Sequence, residues 1–167
     1  EYFKQRQQLA RDHALANSDA ITGNIYAQLV RFAEGVAPLD ARAFTETIAK
    51  LTERRDTSDF NLSALVRMLY QYGDSPLWAQ SAYGPNLKED IEALVLGFKY
   101  WIDEPGIDPM VYWSENHQIL FHSAAYLMGQ MFPDRVFTNS GLTGRELQAK
   151  HQPMLNRWLQ LRAKAGF

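Results

Sequence analysis

An all-α chain of antiparallel helical hairpins is the fold class this sequence predicts, on three observations. Apolar residues recur three and four positions apart over long stretches, the spacing of one helix face. Capping residues and Gly or Pro breakers punctuate those stretches at short intervals. Strand signals are weak, because two-residue alternation never persists and no Asn-Gly or Asp-Gly hairpin turn occurs.

Six helices are expected. The first runs from about Asp19 to Glu34, capped by Asn17 or Ser18 and stopped by Gly35 and Pro38, with Ile21, Ile25, Leu29 and Phe32 as its apolar stripe. Asp40 caps a second helix to about Arg54, whose Phe44, Ile48 and Leu51 face inward. Ser58 or Asp59 opens a third, carrying Leu62, Leu65, Val66 and Leu69 to a stop at Gly73. After a looser stretch through Trp78 to Gly84-Pro85, Asn86 caps a fourth helix with Ile91, Leu94, Val95, Phe98 and Trp101 in line, broken at Glu104-Pro105-Gly106.

Ser114 caps the fifth helix, which reaches Met131 and closes at Phe132-Pro133-Asp134. Its apolar residues cover nearly the whole circumference, so it is expected to be buried on all sides. Thr143-Gly144-Arg145-Glu146 is a capping box opening the sixth, with Leu147, His151, Met154, Leu155 and Trp158 on one side. Short connections favour antiparallel neighbours, and an inner layer wrapped by charged outer helices follows.

The chain has 167 residues, 46% of them hydrophobic and 22% charged, which excludes intrinsic disorder and predicts one domain over 1–167. A formal charge of −2 gives no basic face for nucleic acid. No apolar run approaches the ~20 residues of a membrane-spanning helix. Without cysteine there is no disulfide framework and no thiol nucleophile. The motifs call for no cofactor and no metal. A start without methionine suggests a removed leader or a longer parent chain.

The densest polar and aromatic segment runs from Tyr100 to His117. Trp101, Tyr112 and Trp113 offer ring faces that stack on sugar rings, and Asp103, Glu104 and Glu115 can bond hydroxyls. Burying so many polar groups without purpose would be costly. Each taken singly also reads as a core aromatic or a solvated helix-end charge. Asn116 and His117 stand in the first turn of the fifth helix, where free N–H groups and the dipole favour an anion. An amide to hold a carboxylate and an imidazole to take a proton suit proton abstraction beside a carbonyl. A cap asparagine and a core histidine explain the same pair. Glu115, Gln118 and His122 share a face as a metal or hydrogen-bonding cluster, or, more commonly, a satisfied buried network.

Ser114-Glu115-Asn116-His117, followed by a helix of apolar and small residues and ending Phe132-Pro133-Asp134, resembles a motif of the heparinase II/III-like and alginate-lyase-like superfamily. The wider segment is similar to long microbial proteins of the same layout. The resemblance covers about a fifth of the chain. It implies an arc of an (α/α) toroid, here part of a longer toroid-containing chain, and β-elimination on an acidic polysaccharide. By position Asn116 would neutralise the uronate carboxylate and His117 would be the base or its support, with a Tyr from a later hairpin protonating the leaving oxygen. Glu115 stands where several such lyases have a neutral residue. The partners implied are carbohydrate and the remainder of the chain's own toroid, in an extracellular or periplasmic setting. Two alternatives are a toroidal glycoside hydrolase using paired carboxylates among Asp103, Glu104, Asp108 and Glu115, and a non-catalytic helical binding or scaffold module.

Overall fold

The computed structural model describes residues 1–16 and 24–166, and these are all-α. The order is α1 (Tyr2–Ala16), α2 (Ile25–Glu34), α3 (Ala41–Thr52), α4 (Ser58–Tyr72), a 3₁₀ turn (Pro76–Gln80), α5 (Leu87–Gly97), α6 (Glu115–Met131) and α7 (Gly144–Ala165). Two isolated bridges, Leu39 with Ser81 and Val136 with Thr143, are the only β pairing among the described residues. No described helix is long and apolar enough to cross a membrane.

Helix α1 was not expected. None of its residues is buried, so it carries no apolar stripe for a periodicity argument to find. Its Gln, Arg, Leu and Ala are good helix formers, and propensity is the only local signal. It lies against α2, where Arg11 pairs with Glu34 at 3.1 Å. The expected cap at Asn17 or Ser18, the start at Asp19 and Ile21 lie outside the described residues. The α2 that is described begins at Ile25, capped by Asn24, whose side chain accepts the Tyr26 N–H at 2.9 Å.

The stripes of α2, α3 and α4 pack as one core. Ile25, Phe44, Leu51, Leu62, Leu65 and Met68 are almost completely withdrawn from water, each worth roughly 1.5–3 kcal/mol of burial. Trp78 closes this end, with its ring 4.7 Å from Phe32 and its Nε1 donating to the Tyr72 carbonyl at 2.7 Å. Gln28, also buried, accepts the Asp40 N–H at 2.9 Å and ties α2 to the cap of α3.

The expected fourth helix is shorter than its apolar pattern. α5 ends at Gly97, and Phe98 is extended, so Phe98 and Trp101 leave the helical line. Bonds from outside take over its last turn. The Leu96 carbonyl accepts the Thr138 N–H at 2.8 Å, and the Val95 carbonyl accepts the Tyr100 hydroxyl at 2.8 Å. Periodicity continued past a point where tertiary hydrogen bonds end the helix.

Every residue of α6 from His117 to Gly129 is buried or half-buried, though Ile119, Leu120, Tyr126 and Leu127 are only half-buried, short of burial on all sides. α6 packs along α7 and also against α4. The α6–α7 crossing is closed by two glycines: a Cβ on Gly129 would sit 2.5 Å from the Gly144 carbonyl oxygen, and one on Gly144 would strike the Phe132 carbonyl. The Thr143 capping box forms with both reciprocal bonds.

Candidate functional site

The 98–113 loop carries six of the charged and aromatic residues in question, and buried ion pairs fix it. Lys99 reaches Asp108 at 2.7 Å and the Gly106 carbonyl at 2.6 Å, both charged side chains being buried. Tyr112 is buried, and its hydroxyl donates to Asp108 at 3.2 Å. Burial and that neighbouring carboxylate push the phenol pKa well up. Arg54 grips the Pro105 carbonyl at 3.2 Å and Asn139 at 2.6 Å. Gly106, at φ +104, passes directly under the Arg54 guanidinium, so a Cβ there would be strained and would push the guanidinium aside.

Glu104 is drawn inside. Its Oε2 accepts the Tyr100 N–H at 3.1 Å and the Asn139 amide at 3.2 Å, and its Oε1 faces Lys150 Nζ at 3.4 Å. Burial raises its pKa, but His151, the Tyr100 N–H, Lys150 and Asn139 together outweigh that and leave it lowered. Asp103 pairs with the same Lys150 at 2.7 Å at the surface.

Asn116 and His117 point apart. Asn116 is exposed and its Oδ1 accepts the Ser114 hydroxyl at 2.6 Å. His117 turns inward, where its Nδ1 meets Asp59 of α4 at 2.5 Å and its ring lies edge-on to Phe60. Asp59 is buried, its Oδ1 has no hydrogen-bond partner, and desolvation raises its pKa despite the contact with His117. The amide and imidazole therefore do not converge on one ligand atom.

A cleft of about 390 Å³ opens where the loop, α6 and α7 meet. That is the size of a small-ligand site. Three indoles line it: Trp101 from the loop, Trp113 just before α6, and Trp158 from α7. Trp113 is 67% exposed, an unusual solvent cost for so large an apolar group. Tyr112 supports the cleft from behind, edge-on to Trp101 at 5.6 Å. Glu115, Gln118 and His122 form the α6 wall, so the trio sharing one face does meet in one place. Among the described residues no group of three side chains is arranged to hold a metal ion.

Helix α7 supplies the charge. Arg157 and Arg162 both line the cleft, and Arg157 makes no ion pair among the described residues. Arg162 pairs with Glu115 at 2.9 Å, lies over the Trp158 ring at 5.3 Å, and keeps its buried Nε without a partner. The Trp158 indole donates to the Glu115 carbonyl at 3.0 Å, pinning α7 to the start of α6. His122, against Trp101 at 4.1 Å between ring centres, has its pKa lowered to about 4 by burial and by the neighbouring His151. It is a neutral imidazole at pH 7.

Of the eight expected site residues, Trp101, Trp113 and Glu115 line this cleft. Asn116 is at the surface outside the lining, while His117, Tyr112, Glu104 and Asp103 are committed to the contacts above. Trp158, Arg157 and Arg162 also line the cleft, outside the expected set. The available signal is Met154, Arg157, Trp158, Leu161 and Arg162, a single helical stripe that mixes cations with an indole where a core stripe would be purely apolar. A larger hollow of about 500 Å³ lies at the end of α4, where its Lys88 and Glu92 pair with each other at 3.8 Å and no indole enters. No protein-family model matches this sequence, and no curated protein or solved structure was found to match it.

Proposed function

We propose that the chain is a segment of a carbohydrate-active protein that takes an acidic sugar unit into the three-tryptophan cleft. One observation carries this reading: three indole faces and two guanidinium groups share a single hollow of about 390 Å³. Indoles stack on the C–H face of a sugar ring, and a planar guanidinium matches a uronate carboxylate with two parallel bonds. Arg157, which makes no ion pair among the described residues, is the donor for that carboxylate, with the Arg162 guanidinium beside it adding positive charge. Glu115 and the Gln118 side chain are placed to bond ring hydroxyls.

The resemblance at Ser114–His117 extends this reading to an arc of an (α/α) toroid and to β-elimination as the chemistry of the whole enzyme. The buried contact of His117 with Asp59 supports a role for it in holding α6 against α4. Asn116 is exposed one residue after Glu115, and the resemblance would give it the substrate carboxylate. Hydrolysis by paired carboxylates has less support, since Glu115 is the one carboxylate on the cleft wall.

Calorimetric titration with tetragalacturonate and with an uncharged oligosaccharide of equal length tests the reading. Binding of the acidic sugar, weakened about tenfold in Trp113→Ala and in Arg157→Ala, is the expected result, each change corresponding to about 1.4 kcal/mol. Equal affinity for the two sugars, or variants that bind like the wild type, would overturn it. Absorbance of an unsaturated product, lost in Asn116→Ala, separates an eliminating enzyme from a binding module.

A further inference from the structure

From the α6 wall of the cleft a row of three titratable groups runs inward that the sugar-binding reading does not use. His122 on α6 and His151 on α7 approach Nδ1 to Nδ1 at 2.9 Å, with both rings buried. The second nitrogen of His151, Nε2, is buried without a hydrogen-bond partner and faces Glu104 Oε1 at 3.9 Å. The remaining charged groups around the pair are Asp103 on the loop, Glu115 on α6, and Lys150, Arg157 and Arg162 on α7.

A single proton must lie between the two Nδ1 atoms, since two lone pairs or two N–H groups at that distance repel. Glu104 decides which ring owns it. Three donors hold its carboxylate ionised: the Tyr100 N–H, Asn139 and Lys150. A carboxylate opposite a bare ring nitrogen is repelled, and one opposite an N–H is attracted. A neutral His151 therefore carries its proton on Nε2, toward Glu104, and its Nδ1 is the acceptor. The shared proton then sits on Nδ1 of His122. That leaves Nε2 of His122, the nitrogen available to the cleft, with a free lone pair.

We infer that Glu104 and His151 are positioning residues that fix the tautomer of His122, so that its Nε2 presents a hydrogen-bond acceptor to a ligand hydroxyl in the cleft. This inference rests on the sugar-binding reading for its ligand, and on the row itself for its chemistry. Recognition then divides by group: the arginines take the carboxylate, the indoles the ring face, and His122 selects a hydroxyl that can donate.

Long-range proton–nitrogen correlation of the full chain, labelled with nitrogen-15 in histidine, reads the tautomer directly at pH 7. The expected spectrum places Nε2 of His122 at the shift of an unprotonated nitrogen and its Nδ1 at that of a protonated one. In Glu104→Gln the preference should collapse to a mixture or reverse. A protonated His122 Nε2 in the wild type overturns the inference, whatever binds. An unchanged tautomer in the variant removes Glu104 from the role. If the variant does not fold, the wild-type spectrum decides alone. Adding tetragalacturonate should move the Nε2 signal while leaving it unprotonated. A correct tautomer with no shift on adding the sugar would sink the sugar-binding reading and leave the tautomer assignment standing.

Discussion

Replacing His122 by asparagine should flatten the acid limb of the stability curve. In the folded chain burial and His151 hold the imidazole pKa at about 4, against an ordinary 6.5. The unfolded chain therefore takes up the proton first as the pH falls. Stability from this group is fully present above pH 6.5 and is lost as the pH drops through about 4. A difference of this size corresponds to about 3 kcal/mol. Asparagine keeps a polar atom near the His122 Nδ1 position and does not titrate in this range. Other groups do titrate. Glu104, with its lowered pKa, also loses stability in acid, whereas Asp59, with its raised pKa, contributes stability at low pH that disappears as the pH rises. In both proteins Asp59 keeps His117 and Glu104 keeps its Tyr100, Asn139 and Lys150 donors, so most of their contribution drops out of the difference. Urea titrations followed by circular dichroism across pH 7 to 4 measure it. The gap between wild type and variant should shift by about 3 kcal/mol in favour of the variant over that range. A gap constant to within about 0.5 kcal/mol would refute the reasoning.

Three further substitutions probe the frame. His117→Ala leaves the Asp59 carboxylate buried without a partner and should cost about 3 kcal/mol in urea unfolding. A variant of wild-type stability but without activity would instead return His117 to catalysis. Gly129→Ala forces α6 off the Gly144 carbonyl and should lower stability by about 1–3 kcal/mol; an unchanged melting temperature would mean that the two backbones do not touch. Lys99→Met strands Asp108 beneath the loop and should cost about 3–5 kcal/mol, with a matching fall in sugar affinity as Trp101 loses its anchor.

Helix existence was legible wherever a buried stripe repeats, as in Leu62, Leu65, Val66 and Leu69 of α4, or where chemistry marks a terminus, as in the Thr143 box. α1 escaped notice because no face of it is buried. The end of α5 escaped notice because Thr138, forty residues downstream, supplies the bond that ends it. The polar and aromatic character of the segment from Trp101 to His117 is legible in the sequence, and Trp101, Trp113 and Glu115 of it line the cleft. Its internal assignments depended on partners remote in sequence. Asp59 claims His117, Lys150 and Asn139 claim Glu104, and Lys99 claims Asp108. What a local reading lacked was α7, whose Trp158 and two arginines complete the cleft from across the fold.

The four indole N–H signals give the most direct measurement of the central claim, since each tryptophan resolves separately in a proton–nitrogen spectrum. Trp101, Trp113 and Trp158 line the cleft, while Trp78 is sealed between Phe32 and Phe44 and serves as the internal control. On titration with tetragalacturonate, the three cleft signals should move together with a single saturation curve and that of Trp78 should stay fixed. Three stationary cleft signals, or a Trp78 signal that moves as far as theirs, would contradict the account.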